Sequence, residues 1–311
     1  MSPAPSPALP DPASPDPLAV QAHWRRAARQ AEAPWLHGEV ARRMGERLGW
    51  IKRQPAQVLE IGGWLGAGRA VLRGAYPKAR LTAVEPTEAL RARRAALIER
   101  RWWRWLDRGP EETVHRIAAD APLPGPVDLV WSNLGLHWSA DPQADFSRWR
   151  AALAPEGFLM FSAFGPDTLR ELSALYRSLG WAPPAHRYID MHDLGDALLH
   201  AGLADPVMDM DTLSLAWREP ADLLRELRSL GGNACRERPA GCRTPRWRAR
   251  LEALLAERLR GPDGRLQLSF EIVQGHAFQA LPRPVRGALA TVSVDQLRAS
   301  ARRTGRPPGS D

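Results

Sequence analysis

The stretch QVLEIGGWLGAGRAVL, residues 57–72, decides how the rest of the chain is read. Gln57–Ile61 is short and apolar, as befits a strand buried on both faces. A glycine-rich loop follows, and Gly66–Ala75 reads as a helix. A strand that enters a helix through such a loop is a common nucleotide cradle, because glycine lets backbone and its N–H groups approach a ligand. The dinucleotide fingerprint G-x-G-x-x-G nevertheless fails here. Counted from Gly62 the second glycine falls on Trp64, and counted from Gly66 the third falls on Val71.

Working outward, strands and helices alternate. Upstream, LHGEVARRMGERLGW places Leu36, Val40, Met44 and Leu48 on one helical face. Downstream, Arg80–Val84 is a second strand and Thr87–Arg101 a helix opened by Thr87. Thr113–Ala118 and Val127–Ser132 are further strands. Asp141 and Pro142 start another helix as N-cap and first helical residue, and APEGFLMFSAF gives a turn and a fifth strand. This order predicts an α/β fold with a mostly parallel sheet covered by helices on both faces. After Phe164 the pattern turns helical, with PVMDMDTLSLAW alternating like a half-exposed strand and RLQLSFEIVQGHAF as a last strand.

Composition narrows the function. The 311 residues contain 44% hydrophobic residues, an ordinary globular content, with no apolar run long enough to span a membrane. The first 17 residues hold seven prolines and no apolar stretch, so they read as a disordered tail and not a secretory signal. Cys235 and Cys242 fit neither a disulfide framework nor a zinc site, and a cytoplasmic protein is expected. The net charge of +8 raises a nucleic-acid reading. However, 41 of the 43 basic residues are arginines, spread along the whole chain, which is the codon signature of a GC-rich genome. Even RRWWRW, residues 100–105, reads better as a helix end whose arginine stems cover apolar surface. No nucleic acid is expected, whereas an acidic protein partner suits the charge. His186, His192 and His200 have no usual ligand spacing, so no metal is expected.

Three acids close consecutive strands: Glu60, Glu85 and Asp120. Glu85 lies 23 residues after Gly62, where a carboxylate can accept ribose hydroxyls. Asp120 is placed to accept an amino hydrogen from adenine. No phosphate-binding lysine motif accompanies them, which favours a phosphate-free nucleoside such as S-adenosylmethionine.

The order VLEIGGWLG, LTAVEP, AADAPLP, VDLVWSNLGLHW and LAPEGFLMFSAFGPDTLREL resembles a class I S-adenosylmethionine-dependent methyltransferase. More narrowly it resembles the BioC family of malonyl-ACP O-methyltransferases of biotin precursor synthesis, to about residue 280. The resemblance implies a Rossmann-like seven-stranded sheet in a domain spanning 19–280, with a helical cap at about 165–260, flanked by disordered tails at 1–18 and 281–311. It implies that Glu60, Gly62 and Gly66 hold the methionine end of S-adenosylmethionine. Glu85 would take the ribose, Asp120 the adenine edge, and Asn133 the pocket wall beside the transferred methyl. His137 and Trp138 would border the acceptor, malonyl on an acidic acyl carrier protein.

Two departures stand out. The family loop is close to Leu-Asp-Leu-Gly-Cys-Gly-Thr-Gly, and Trp64 replaces its second glycine. A Tyr-Asp pair upstream is matched by Ala31 and Glu32. Trp64 must turn outward or occupy part of the cofactor pocket, and the alternative function is a binding or assembly protein that kept the fold and lost the cofactor. The chemistry asks for no catalytic base, since a malonyl carboxylate is ionised at neutral pH with a pKa of roughly 4. Arg170 and Arg187 are candidates to pair with that carboxylate.

Overall fold

The computed structural model describes residues 14–99, 110–118 and 120–280, all within one unit that ends at Ala280. The terminal tail up to residue 13, the RRWWRW segment and the tail at 281–311 lie outside the described residues. Residues 14–18 do not continue the expected tail. Helix α1, Pro17–Ala27, already begins there, with Asp16 as N-cap accepting from Leu18 N and Pro17 in the first turn.

Helix α2, Trp35–Leu48, buries Leu36, Val40, Met44 and Leu48 in one stripe. The loop stretch then gives β1, Gln57–Ile61, α3, Gly63–Gly66, and α4, Arg69–Ala75. The helix expected over Gly66–Ala75 thus begins only at Arg69, and the loop before it carries a helical turn of its own, because Ala67 takes a left-handed φ of 51° and turns the chain between them. Strand β2, Arg80–Glu85, and helix α5, Glu88–Glu99, follow, with Thr87 Oγ1 accepting from Leu90 N. Next come β3, Glu112–Arg116, β4, Val127–Ser132, and α6, Pro142–Ala152, capped by Asp141 as its sequence implies.

Strand β5, Leu153–Phe164, leads into α7, Arg170–Ser178, and α8, Met191–His200. The segment expected to form the cap is then divided by β6, Ala204–Trp217. Helices α9, Pro220–Ser229, and α10, Pro245–Arg258, precede the last strand, β7, Leu266–Phe278.

The seven strands order as β3-β2-β1-β4-β5-β7-β6. The first five are mutually parallel, and β7 runs antiparallel between β5 and β6. Because successive side chains leave a strand on opposite faces, each strand feeds two cores. Val58, Leu129 and Phe158 join α2 and Leu72 on one face, while Leu59, Val130 and Leu159 pack with Phe146, Trp149, Leu194 and Leu198 on the other. Strand order departs in both directions from β1 and β4, and a crevice outside their carboxyl ends is where such sheets take ligands.

Candidate active site

At the end of β1, Gly62 adopts φ 66°, a left-handed conformation that costs glycine little and other residues much. No atom lies within 4 Å of where its Cβ would stand, so open space adjoins this backbone. The turn closes with Gly66 N donating to Gly62 O at 2.9 Å. Trp64 sits inside the helical turn and is not among the residues with positive φ. The strain that a bulky residue would suffer at a left-handed glycine position therefore does not arise.

The indole of Trp64 is buried, and it points to the end of α1. Its Nε1 donates to Ala27 O at 3.2 Å, the ring packs with Ala27, Leu65 and Leu90, and the Arg93 guanidinium lies 5.5 Å from its centre. Arg93 itself donates to Ala28 O and Gln30 O. Trp64 therefore does not turn outward: it lies beneath the first helix, as an anchor between that helix and the loop. Ala31 and Glu32, just beyond, are exposed.

Glu85, the last residue of β2, is buried and its Oε1 accepts the Trp64 backbone N–H at 2.6 Å. Burial pushes its carboxyl up to about 8, against the pull of that hydrogen bond. Glu60 is fully buried and pairs with Arg94 Nη2 at 2.6 Å; Arg94 also reaches Glu112 at 3.0 Å, and Arg69 reaches Glu112 at 2.9 Å. Burial raises the Glu60 carboxyl while Arg94 holds it back. Burial also works against the charge on Arg94, but the carboxylates around it outweigh that effect and its pKa moves up. Glycine is needed around this pair. A Cβ on Gly63 would come within 2.8 Å of Glu60 Oε2, and one on Gly68 within 2.7 Å of Oε1.

Sequence reasoning missed Arg94, one of three arginines in RARR, residues 91–94. A signal existed: Leu90, Arg94 and Ile98 share a face at i, i+4 and i+8, and all three are buried.

Asn133 follows β4 and is buried. Its Nδ2 donates to Gly66 O at 2.6 Å and to His37 O at 2.8 Å, while Oδ1 accepts from Ser162 Oγ at 2.7 Å. Its amide therefore clamps the glycine loop to α2 and β5, forming a wall without a spare polar atom aimed at a ligand. Asp120 stands apart from this buried group, exposed in the turn after β3.

Beyond β4 and β5 lies a cleft of about 1120 Å³, bordered by His137, Phe164, Tyr176, Trp181, Arg187 and Tyr188 among others. His137 is in the 3-10 turn Leu136–Trp138, and neither ring nitrogen has a hydrogen-bond partner. Burial holds its pKa well below the ordinary value, so the ring is neutral. Trp138 faces elsewhere, stacking on His23 of α1 with centroids 4.2 Å apart. Arg170 is engaged by Asp167 and Glu171, whereas Arg187 is exposed with no ion pair among the described residues. No group of three or more His, Cys, Asp or Glu among the described residues is arranged to hold a metal ion.

Strand order, with a glycine turn after β1 and a buried acid closing β2, defines a class I methyltransferase fold. A methyltransferase-domain family model matches residues 28–205. The fold is that of the YcgJ protein of Bacillus subtilis, with a TM-score of 0.51 at 10% identity over 77% of this chain and 98% of that one. The chain is 37% identical to the malonyl-[acyl-carrier protein] O-methyltransferase of Laribacter hongkongensis, covering 84% of this chain and 89% of the relative. It is 39% identical to the enzyme of that name from Halorhodospira halophila, over 81% and 84%. The chain belongs to the malonyl-[acyl-carrier protein] O-methyltransferase family.

Proposed function

We propose that this protein uses S-adenosylmethionine to methylate the free carboxylate of malonyl-ACP, in the cytoplasm, as a step of biotin precursor synthesis. The observation that carries the reading is the identity with malonyl-ACP O-methyltransferases across more than four fifths of the chain. A buried Glu85 beside an open glycine turn supports the cofactor. The site residues fit a nucleoside: the Trp64 N–H is the one hydrogen bond to the Glu85 carboxylate among the described residues, and ribose hydroxyls would add donors. No helix among the described residues is long and apolar enough to cross a membrane.

When bound, S-adenosylmethionine supplies a methyl group on a cationic sulfur. Glu85 would hold the ribose, the Gly62–Gly66 turn the methionine end, and Asp120 the adenine edge. Glu60 acts one layer down, fixing the turn through its pair with Arg94. The acceptor needs no base, because its carboxylate is already ionised at neutral pH. The protein contributes alignment, which requires reacting atoms about 3–3.5 Å apart in line. Arg187 is a cleft cation that would receive the malonyl carboxylate bidentately. Neutral His137 lines the cleft as a wall and moves no proton.

The reading of an abandoned cofactor site is not favoured, given the identity with malonyl-ACP O-methyltransferases, and Trp64 packs without backbone strain. Incubating the purified protein with malonyl-ACP and S-adenosylmethionine should add one methyl group to the malonyl moiety, read by intact-protein mass spectrometry and reversed by ester hydrolysis. An unchanged carrier mass would overturn the proposal.

A further inference from the structure

A malonyl group is far smaller than the cleft, whose 1120 Å³ exceeds the roughly 300–1,000 Å³ typical of small-molecule pockets. A carrier protein presents its thioester on a long flexible phosphopantetheine arm, so a docking surface must adjoin the mouth through which the arm enters. One side of that mouth is unusual. Trp181 lines the cleft, and its ring lies 5.3 Å from that of Trp247 in the first turn of α10. Arg243 stands over Trp247 at 4.6 Å, and Arg250 over Trp181 at 5.5 Å. Both arginines are exposed, and neither has a carboxylate partner among the described residues. Arg177 and Arg187, which line the same cleft, are likewise exposed and unpaired among the described residues.

Several other arginines along these helices are neutralised locally: Arg225 by Asp222, Arg248 by Glu252, and Arg170 by Asp167 and Glu171. Arg177, Arg187, Arg243 and Arg250, which line the cleft or stand over its tryptophan border, keep unneutralised charge among the described residues. The tryptophan faces hold Arg243 and Arg250 in place, since a ring face attracts a cation and limits its rotamers. A preorganised cationic rim steers an acidic partner and sets its orientation.

We propose that α10 and the Trp181–Trp247 pair form the docking face for the acidic carrier protein, with Arg243 and Arg250 contacting its carboxylates while the arm enters the cleft. This rests on the malonyl-ACP reading. Neither arginine touches the acceptor, so the double variant R243E/R250E separates docking from chemistry. With the full-length protein, the KM for malonyl-ACP should rise at least tenfold with kcat retained. Turnover of a small malonyl thioester lacking the carrier, malonyl-N-acetylcysteamine, should stay unchanged. A carrier with surface acids reversed to lysine should recover part of the loss.

Parent-like KM values for malonyl-ACP, or equal losses on both substrates, would overturn the docking face. So would loss of binding to phosphatidylglycerol vesicles without any change toward the carrier, which would assign the face to a membrane. If the parent protein methylates neither substrate, the malonyl reading itself falls, and the docking face with it.

Discussion

The two halves of the site are built in opposite ways. Around β1, β2 and the glycine turn the structure is dense and ionic, with Glu60, Arg94 and Glu85 nearly inaccessible and Asn133 tied to Gly66, His37 and Ser162. Beyond β4 and β5 it is open, with aromatic walls, a neutral His137 and unpaired arginines at the rim. The first half must present one small nucleoside in one pose, which calls for a rigid frame. The second must admit an acyl group on a long arm and release it. Rigidity is concentrated where the ligand is constant.

The largest test of that contrast is Arg94→Met. It leaves Glu60 and Glu112 buried without their shared cation, and breaking a buried pair costs about 3–5 kcal/mol. Urea denaturation should show a loss of that size. A change below about 1 kcal/mol would mean that the frame does not depend on the ion pair.

Glu85→Gln has an effect on binding and an opposite one on stability. It replaces the carboxyl, which can give up its proton and accept both ribose hydroxyls, with an amide that has a single acceptor oxygen, and should weaken S-adenosylmethionine binding by about tenfold, or 1.4 kcal/mol. The folded carboxyl titrates at about 8, against about 4.3 in an unfolded chain. Below that lower value both states are protonated and nothing is lost. Between the two the native state keeps a proton that the unfolded state has released, so stability falls as pH rises through the window. Denaturation midpoints from pH 5 to 8 should decline less steeply in the variant than in the parent. Parallel slopes would show that Glu85 is not held protonated by burial.

His137→Leu probes the open half and should have the smallest effect, with the opposite sign. Both imidazole nitrogens are buried without partners, so an apolar side chain of similar size should stabilise the fold by about 1 kcal/mol. The pH profile of kcat should not change shape. A lost limb in that profile would make His137 a proton carrier instead of a wall.

Much of this was legible in the chain. The acids near the ends of β1 and β2 can be picked out in the chain, although the pairing of Glu60 with Arg94 cannot, and β4 is found at the limits its apolar run implies. The helix cap at Asp141 also follows from local chemistry. What the sequence hides is of two kinds. The break between α3 and α4 depends on Ala67 in a left-handed conformation, which its residue type disfavours and only the surrounding fold imposes. The role of Trp64 depends on α1, some 37 residues upstream. A local pattern shows a glycine lost from a loop. It does not show that another helix lies ready to receive the indole.

The central claim is that Trp64 braces the cofactor loop and does not block it. Calorimetric titration of S-adenosylmethionine into the natural protein and into Trp64→Gly tests it most directly. Micromolar binding by the natural protein is expected, with equal or weaker binding by the variant, whose α1 has lost its anchor. No binding by the natural protein, restored when Trp64 is replaced, would contradict it.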